Sequence, residues 1–211
     1  MREPNRSRSA QTVRYAFGRP ILLRIAAFAL LNVPSAIMTV DQAPGTYFDL
    51  GPHLVEDFRG TYEFKHKHVE FVQTAAGGYL ARSSGDESPQ EDRLVIESGY
   101  VCWVLGGSNG TWLKIRVSFR SGDRWEHVFR GWNQQYVVTD TDLAVSVPAG
   151  GLQHCARLRV SWVAHEPDME GPQEIVLYLA PHLGIVKREL WSNSSKYHEE
   201  VLTKYARPQA N

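Results

Sequence analysis

The stretch Gly151-Leu152-Gln153-His154-Cys155-Ala156-Arg157-Leu158-Arg159-Val160-Ser161-Trp162 alternates along its length. Leu152, His154, Ala156, Leu158, Val160 and Trp162 share one side, and Cys155, Arg157, Arg159 and Ser161 share the other. Successive side chains of a strand point to opposite faces, so this period of two predicts a strand with one covered and one wet face.

Working outward, similar short segments recur, separated by Gly, Pro, Asn, Asp and Ser. Upstream lie 93–97, 100–105 and 112–119, where Leu113, Ile115, Val117 and Phe119 alternate with Lys114, Arg116 and Ser118. Segments 125–131, 136–139 and 143–147 follow, the last two divided by the acidic turn Asp140-Thr141-Asp142. Residues 60–73 read as one strand alternating aromatic or imidazole side chains with charged ones, and Gly77-Gly78 as a hairpin turn into Tyr79. Residues 83–92 are the most polar stretch of the body and read as a mobile loop. Downstream, the polar run that includes His165-Glu166-Pro167-Asp168 reads as a turn, followed by segments 174–179 and 185–191. The tail 196–205 fits a helix through Tyr197, Val201 and Tyr205, or a last strand through Val201-Leu202. Eight or more strands joined mainly by tight turns predict an all-β fold with little helix. The expected form is a single strongly curved antiparallel sheet, a half-barrel or open barrel that curls to hide its edges.

Composition narrows the class. The chain has 211 residues, 43% of them hydrophobic, with 23 Lys+Arg against 23 Asp+Glu and two cysteines. That is enough for a sizeable core and too few cysteines for a disulfide scaffold or a four-cysteine zinc module. The zero net charge conceals an asymmetry. Residues 1–40 hold Arg2, Arg6, Arg8, Arg14, Arg19 and Arg24 with Glu3 as their one acid, so the remainder carries 17 basic and 22 acidic residues, a net of −5. Nucleic-acid binding needs a concentrated basic face, so an acidic remainder argues against it. Within the leader the arginines precede the apolar run Ile25 to Val33, then small residues and a proline, the order of a secretory signal. The expected division is thus a basic plus apolar leader at 1–40, serving as signal peptide or anchor, and one β domain at 41–211. A buried amphipathic helix or an arm is the alternative reading of the leader. No cysteine precedes Cys102, which leaves no site for a lipid-modified N-terminal cysteine.

Three further stretches share features with known chains: Val147-Pro148-Ala149-Gly150-Gly151-Leu152-Gln153-His154-Cys155, then Leu179-Ala180-Pro181-His182-Leu183-Gly184-Ile185-Val186-Lys187, and near the start Tyr47-Phe48-Asp49-Leu50-Gly51. These resemble a set of uncharacterised bacterial exported proteins and lipoproteins with a PAG-x-[FL]-x-x-C strand, a YAPG-x-G-x-VK strand and a YFPL opening. That set is similar to the half-barrel fold of bacterial lipoprotein carriers. The resemblance implies an envelope or periplasmic location and an apolar concavity, with no catalytic residue. Two departures stand out: His182 occupies the position of the usual glycine, and Gly60-Thr61-Tyr62 lacks the usual tryptophan.

Candidate sites are few. His66 and His68 with Glu70 are spaced for one face of a strand and form a weak metal-ligand candidate against the simpler reading of a solvated face. His154 and Trp162, on the apolar side of the clearest strand, and Trp112, Trp125 and Trp132 are the candidates to line a ligand groove; core packing is the simpler role for each. If the chain is exported, Cys102 and Cys155 would pair across a loop worth roughly 4 kcal/mol. In the resembling set the strand cysteine often stands alone, which leaves two buried thiols as the equal alternative. Gly106-Gly107-Ser108-Asn109-Gly110 lacks the lysine of a phosphate loop. No cofactor is implied and no catalytic set emerges. The expected function is an envelope binding or carrier module for a lipid or other apolar or amphiphilic ligand. A module that docks an envelope protein is the first alternative, and a metal-dependent enzyme at His66 and His68 the second.

Overall fold

A computed structural model describes residues 47–61, 65–86, 88–108, 110–164 and 174–207. The leader and the His165 to Asp168 turn lie outside the described residues. Twelve strands form: β1 His53–Gly60, β2 Lys67–Gln73, β3 Tyr79–Gly85, β4 Gln90–Glu97, β5 Tyr100–Val104, β6 Thr111–Arg116, β7 Arg124–Phe129, β8 Trp132–Val147, β9 Gly150–Ala164, β10 Glu174–Ala180, β11 Gly184–Ser192 and β12 Ser195–Ala206. They make one antiparallel sheet in the order β6-β5-β4-β3-β2-β1-β12-β11-β10-β9-β8-β7. The first and last strands pair in the middle of the sheet, and β6 and β7, consecutive in the chain, are its two edges. The sheet curls until those edges meet, which yields the expected curved all-β fold as a nearly closed barrel with one seam. The described residues contain no α-helix.

Alternation sets which side chains face the lumen. In β1, Leu54, Glu56 and Phe58 are buried while His53 and Arg59 are exposed; in β9, Leu158 and Val160 are buried. The tail resolves as strand β12, with His198, Glu200 and Leu202 buried in phase. Several boundaries differ from the sequence reading. Residues 60–73 are two strands, because β1 ends at Gly60 and β2 opens at Lys67. The polar run 83–92 is mostly strand: Ser83–Gly85 completes β3 and Gln90–Asp92 begins β4, so backbone pairing outweighs the lack of apolar anchors. Asp140-Thr141-Asp142 is a bulge within the single long β8.

That bulge has a counterpart. β8 carries one extra residue between the pairs Val138↔Leu158 and Asp140↔Arg157 and another between Asp140↔Arg157 and Leu143↔Cys155; between Leu143↔Cys155 and Val145↔Leu152, the extra residue is in β9. The burial phase of β8 accordingly passes from Gln134, Tyr136 and Val138 to Val145 and Val147. In β9 the bulge holds His154 at φ +55, which turns its side chain out to solvent beside Asp142, with Nδ1 to Oδ1 at 2.8 Å. His154 therefore does not share the covered face of Leu158 and Val160. Strict alternation fails there because the register gains a residue.

The seam between β6 and β7 has no backbone ladder, and side chains take its place. The Lys114 N–H donates to the Tyr136 hydroxyl at 3.0 Å, and its carbonyl accepts from Trp125 Nε1 at 2.7 Å. Gln134 Nε2 donates to the Trp112 carbonyl at 2.8 Å, and His127 Nε2 to that of Thr111 at 2.8 Å. The Tyr136 hydroxyl also donates to Gln134 Oε1 at 2.5 Å. Exposed edge groups are thus satisfied without a partner strand. Trp125 stacks on Tyr136 with centroids 5.0 Å apart, sealing the seam from inside.

The end of the barrel that carries the β10–β11 turn is plugged by the segment ahead of β1. Tyr47, Phe48 and Leu50 are buried, and Tyr47 stacks on Phe119 at 5.0 Å. A Cβ at Gly184 would lie 3.4 Å from Leu50, and the φ of +75 there also favours glycine. His182 holds φ +60 in the same turn, a left-handed conformation that ordinarily favours glycine. Its Nδ1 lies 3.1 Å from the Asp49 carbonyl oxygen, which ties the turn to the plug.

Candidate functional site

The lumen is not filled evenly. Under β7–β10 it is occupied by the buried side chains of Trp125, Tyr136, Val138, Leu158, Val160, Ile175 and Leu177. Under β1–β6 it holds a cavity of about 340 Å³, a size within the lower range of small-molecule sites. The plug residues Phe48 and Leu50, with Leu183, form its floor. Phe58, Val69, Phe71, Leu94, Trp103, Trp112 and Leu113 form its apolar wall. Glu56, Lys67, Asp92, Arg188 and Glu200 line it as well, making the site amphiphilic.

Each polar group is placed by strand phase. Glu56 lies between Leu54 and Phe58 on the inner side of β1, Lys67 is in phase with Val69 and Phe71 on β2, and Glu200 with Leu202 on β12. Arg188 extends from β11 to the opposite wall, where its guanidinium lies 6.0 Å from the centre of the Trp112 ring. Glu200 accepts from Arg188 Nη2 at 2.7 Å and faces Lys67 Nζ at 3.8 Å. Asp92 accepts from Trp103 Nε1 at 2.9 Å through one oxygen and from the Gly106 N–H at 2.8 Å through the other. Trp103 in turn packs edge-on to Trp112, centroids 6.4 Å apart.

Glu56 is the exception among the carboxylates. It is 1% exposed, and its Oε1 is buried with no hydrogen-bond partner. Burial, followed by the nearby negative charge of Glu200, holds its carboxyl well above the usual carboxylate range. A buried acceptor without a donor is costly, so the arrangement is poised to receive one.

Of the expected ligand-lining residues, the cavity takes Trp112 alone. Trp125 closes the seam, Trp162 is half-buried against the packed half of the lumen, and Trp132 begins β8 at its hairpin with β7. His154 is exposed through its bulge. The histidine candidates are not brought together. His66 lies in the β1–β2 connection, with its backbone N–H on Asp86 at 2.8 Å. His68 pairs with Asp57 at 2.7 Å and Glu70 faces His53 at 3.9 Å. Among the described residues no three His, Cys, Asp or Glu side chains converge as a metal set.

Cys102 and Cys155 are both free and buried, on the non-adjacent strands β5 and β9. Burial raises both thiols, Cys155 to about 11. Such thiols are poor nucleophiles near neutral pH. Neither is expected to react with an aromatic disulfide reagent within minutes in the native protein at pH 7.5, and both are expected to titrate after denaturation. Zero thiols after denaturation without reductant would show a bond instead.

Sequence reasoning passed over Glu56, Lys67, Arg188, Glu200 and Trp103. A signal was there for three of them: Glu56, Lys67 and Glu200 are charged residues in phase with apolar ones, where simple amphipathic strands place Val or Leu.

The fold and the cavity together define a β-barrel with a partly polar, one-sided lumenal site. No family model matches this chain, and no curated protein matches it either. Among solved structures it is similar to a protein of Parabacteroides distasonis described as a "putative lipoprotein", at 12% identity over 78% of this chain and 100% of that one, with a TM-score of 0.44.

Proposed function

We propose that this chain is a binding or carrier module for an apolar or amphiphilic small molecule held in the lumenal cavity, and that it performs no catalysis. The observation that carries this reading is the cavity itself, which lies beside a half-lumen occupied by buried apolar side chains. An interior kept open at the expense of packing forgoes stability, which supports a use for the space. The alternative of a module docking an envelope protein expects a filled lumen and is less well supported. The composition of residues 1–40 supports, as part of the same proposal, work in the periplasm or cell envelope.

Solvent extraction of the purified full chain, followed by mass spectrometry, is expected to yield a stoichiometric lipophile. The delipidated protein is then expected to bind the uncharged dye N-phenyl-1-naphthylamine. Ala81 is 3% exposed and lines the cavity, so Ala81→Phe would place a ring in the open space. That variant is expected to weaken dye binding at least tenfold, about 1.4 kcal/mol. A chain that yields no lipophile and refuses the dye would leave the docking reading in its place.

A further inference from the structure

The carboxylates that line the cavity can be compared one by one, and among them one buried oxygen is left without a donor. Both oxygens of Asp92 accept hydrogen bonds, from Trp103 and Gly106. Glu200 is held by Arg188 through one oxygen and by Lys67 through the other, so the two cations that would attract an acidic head group already face a carboxylate. Glu56 alone, 1% exposed, presents an oxygen with no donor. It does so on the inner side of β1, between Leu54 and Phe58 and paired across to Val69 of β2.

We propose that the cavity selects an uncharged apolar alcohol, whose hydroxyl pairs with Glu56 while its hydrocarbon body lies against Phe58, Phe71 and Trp103. This rests on the reading of the cavity as a ligand site and specifies which end of the ligand is recognised. A fatty carboxylate would bring a fourth acid beside Glu56, Asp92 and Glu200, without a free cation to meet it. An alkylammonium would stand beside Lys67 and Arg188, and would bury a third cationic centre in a small space. A hydroxyl both donates and accepts, so it satisfies Glu56 whether that carboxyl is ionised or protonated. Burial of Glu56 favours the protonated form, which also leaves the lined cavity without a charge for an ionic ligand to neutralise. Sites that hydrogen-bond a hydroxyl reject analogues lacking it, because their own polar group is then stranded.

The test is a competition series on the full chain carrying N-phenyl-1-naphthylamine. 1-Decanol is expected to displace the dye at least tenfold more tightly than decanoate, decylammonium or 1-chlorodecane at pH 7. Glu56→Leu is expected to bind the dye while losing the preference of 1-decanol over 1-chlorodecane. Glu56→Gln, whose amide still donates and accepts, is expected to keep that preference within about threefold of wild type. Equal affinities across the series in wild type, or an unchanged preference in Glu56→Leu, would overturn the alcohol assignment and leave the ligand cavity standing. Failure of wild type to bind dye or any of the four compounds would overturn both. If Glu56→Leu does not fold, the wild-type series and Glu56→Gln decide the matter: loss of the preference in Glu56→Gln would then count against the assignment.

Discussion

Replacing Trp125 by alanine is expected to lower the unfolding free energy by about 3–5 kcal/mol, the range for truncating a buried aromatic. Three contributions are lost together: the stack on Tyr136 at 5.0 Å, the contact with Phe119 at 6.4 Å, and the bond from Nε1 to the Lys114 carbonyl at 2.7 Å. The last matters beyond its own strength, because Lys114 lies on an edge strand whose outward backbone groups have no strand partner. Trp125→Phe separates the terms: it keeps a ring for stacking and gives up the donor, at an expected cost of about 1–2 kcal/mol. Urea unfolding followed by far-ultraviolet circular dichroism measures both. A loss below about 1 kcal/mol for the alanine variant would mean that the seam contributes little and that the edges are held by curvature alone.

Glu56→Leu is expected to move stability the other way, by about 1–3 kcal/mol, since it removes a buried polar group without a partner from an apolar wall. The pH dependence identifies the cause. A carboxyl whose folded value is raised binds its proton more tightly in the native state than in the unfolded chain. Between the ordinary carboxylate range and the raised value the native state therefore holds more protons, and stability falls as pH rises through that window. Below the ordinary range both states are protonated and the penalty vanishes; above the raised value it is constant. Wild type should lose stability across the window relative to Glu56→Leu, and the difference between the two should flatten at either end. Parallel curves for the two proteins at all pH values would show that Glu56 carries no such linkage. If the variant is more stable and less selective, the carboxyl is retained at a cost for the sake of binding.

Much of the architecture was legible in the residues. The alternating stretch 152–162 became β9, apart from its bulge at His154, and 112–116 became β6, which ends before Val117 and Phe119; the turn at Gly77-Gly78 was found as expected, with the Thr74 N–H donating to the Gly78 carbonyl at 2.8 Å. Errors arose where pairing, a non-local interaction, overrides composition. Residues 83–85 and 90–92 look like loop because they lack apolar anchors, yet 83–85 pair with β2 and 90–92 pair with Ala81, Arg82 and Ser83 of β3. The division of β8 at its acidic residues was a bulge for the same reason: pairing with β9 continues past it.

The site was less legible than the sheet. His154 was assigned to the wrong side because one inserted residue reverses every later position, and nothing in its immediate neighbours marks the insertion. Trp125 and Trp112 look alike in sequence and have different roles, since one meets the edge of β6 and the other the open half of the lumen. Glu56 could have been recognised as an acid on a covered face. That Glu200 would be satisfied by Arg188 while Glu56 was not depends on which strands become neighbours, and on an arginine that spans the lumen.

The pairing of first strand with last also bears on how the chain reaches this state. Each half of the barrel, β1–β6 and β7–β12, is a run of hairpins whose contacts are close in sequence, and such local contacts form quickly. The ladder that joins the halves pairs residues as distant as Val55 and Ala206, and the Thr203 hydroxyl donates to the Asp57 carbonyl across it, 146 positions away. Its loop-closure entropy is the largest of any ladder in the sheet, and the reward comes only after both halves exist. Contact order is thus concentrated in one junction, which makes zipping of β1 to β12 the step on which the folding rate depends, while the side-chain seam between β6 and β7 is left to close last.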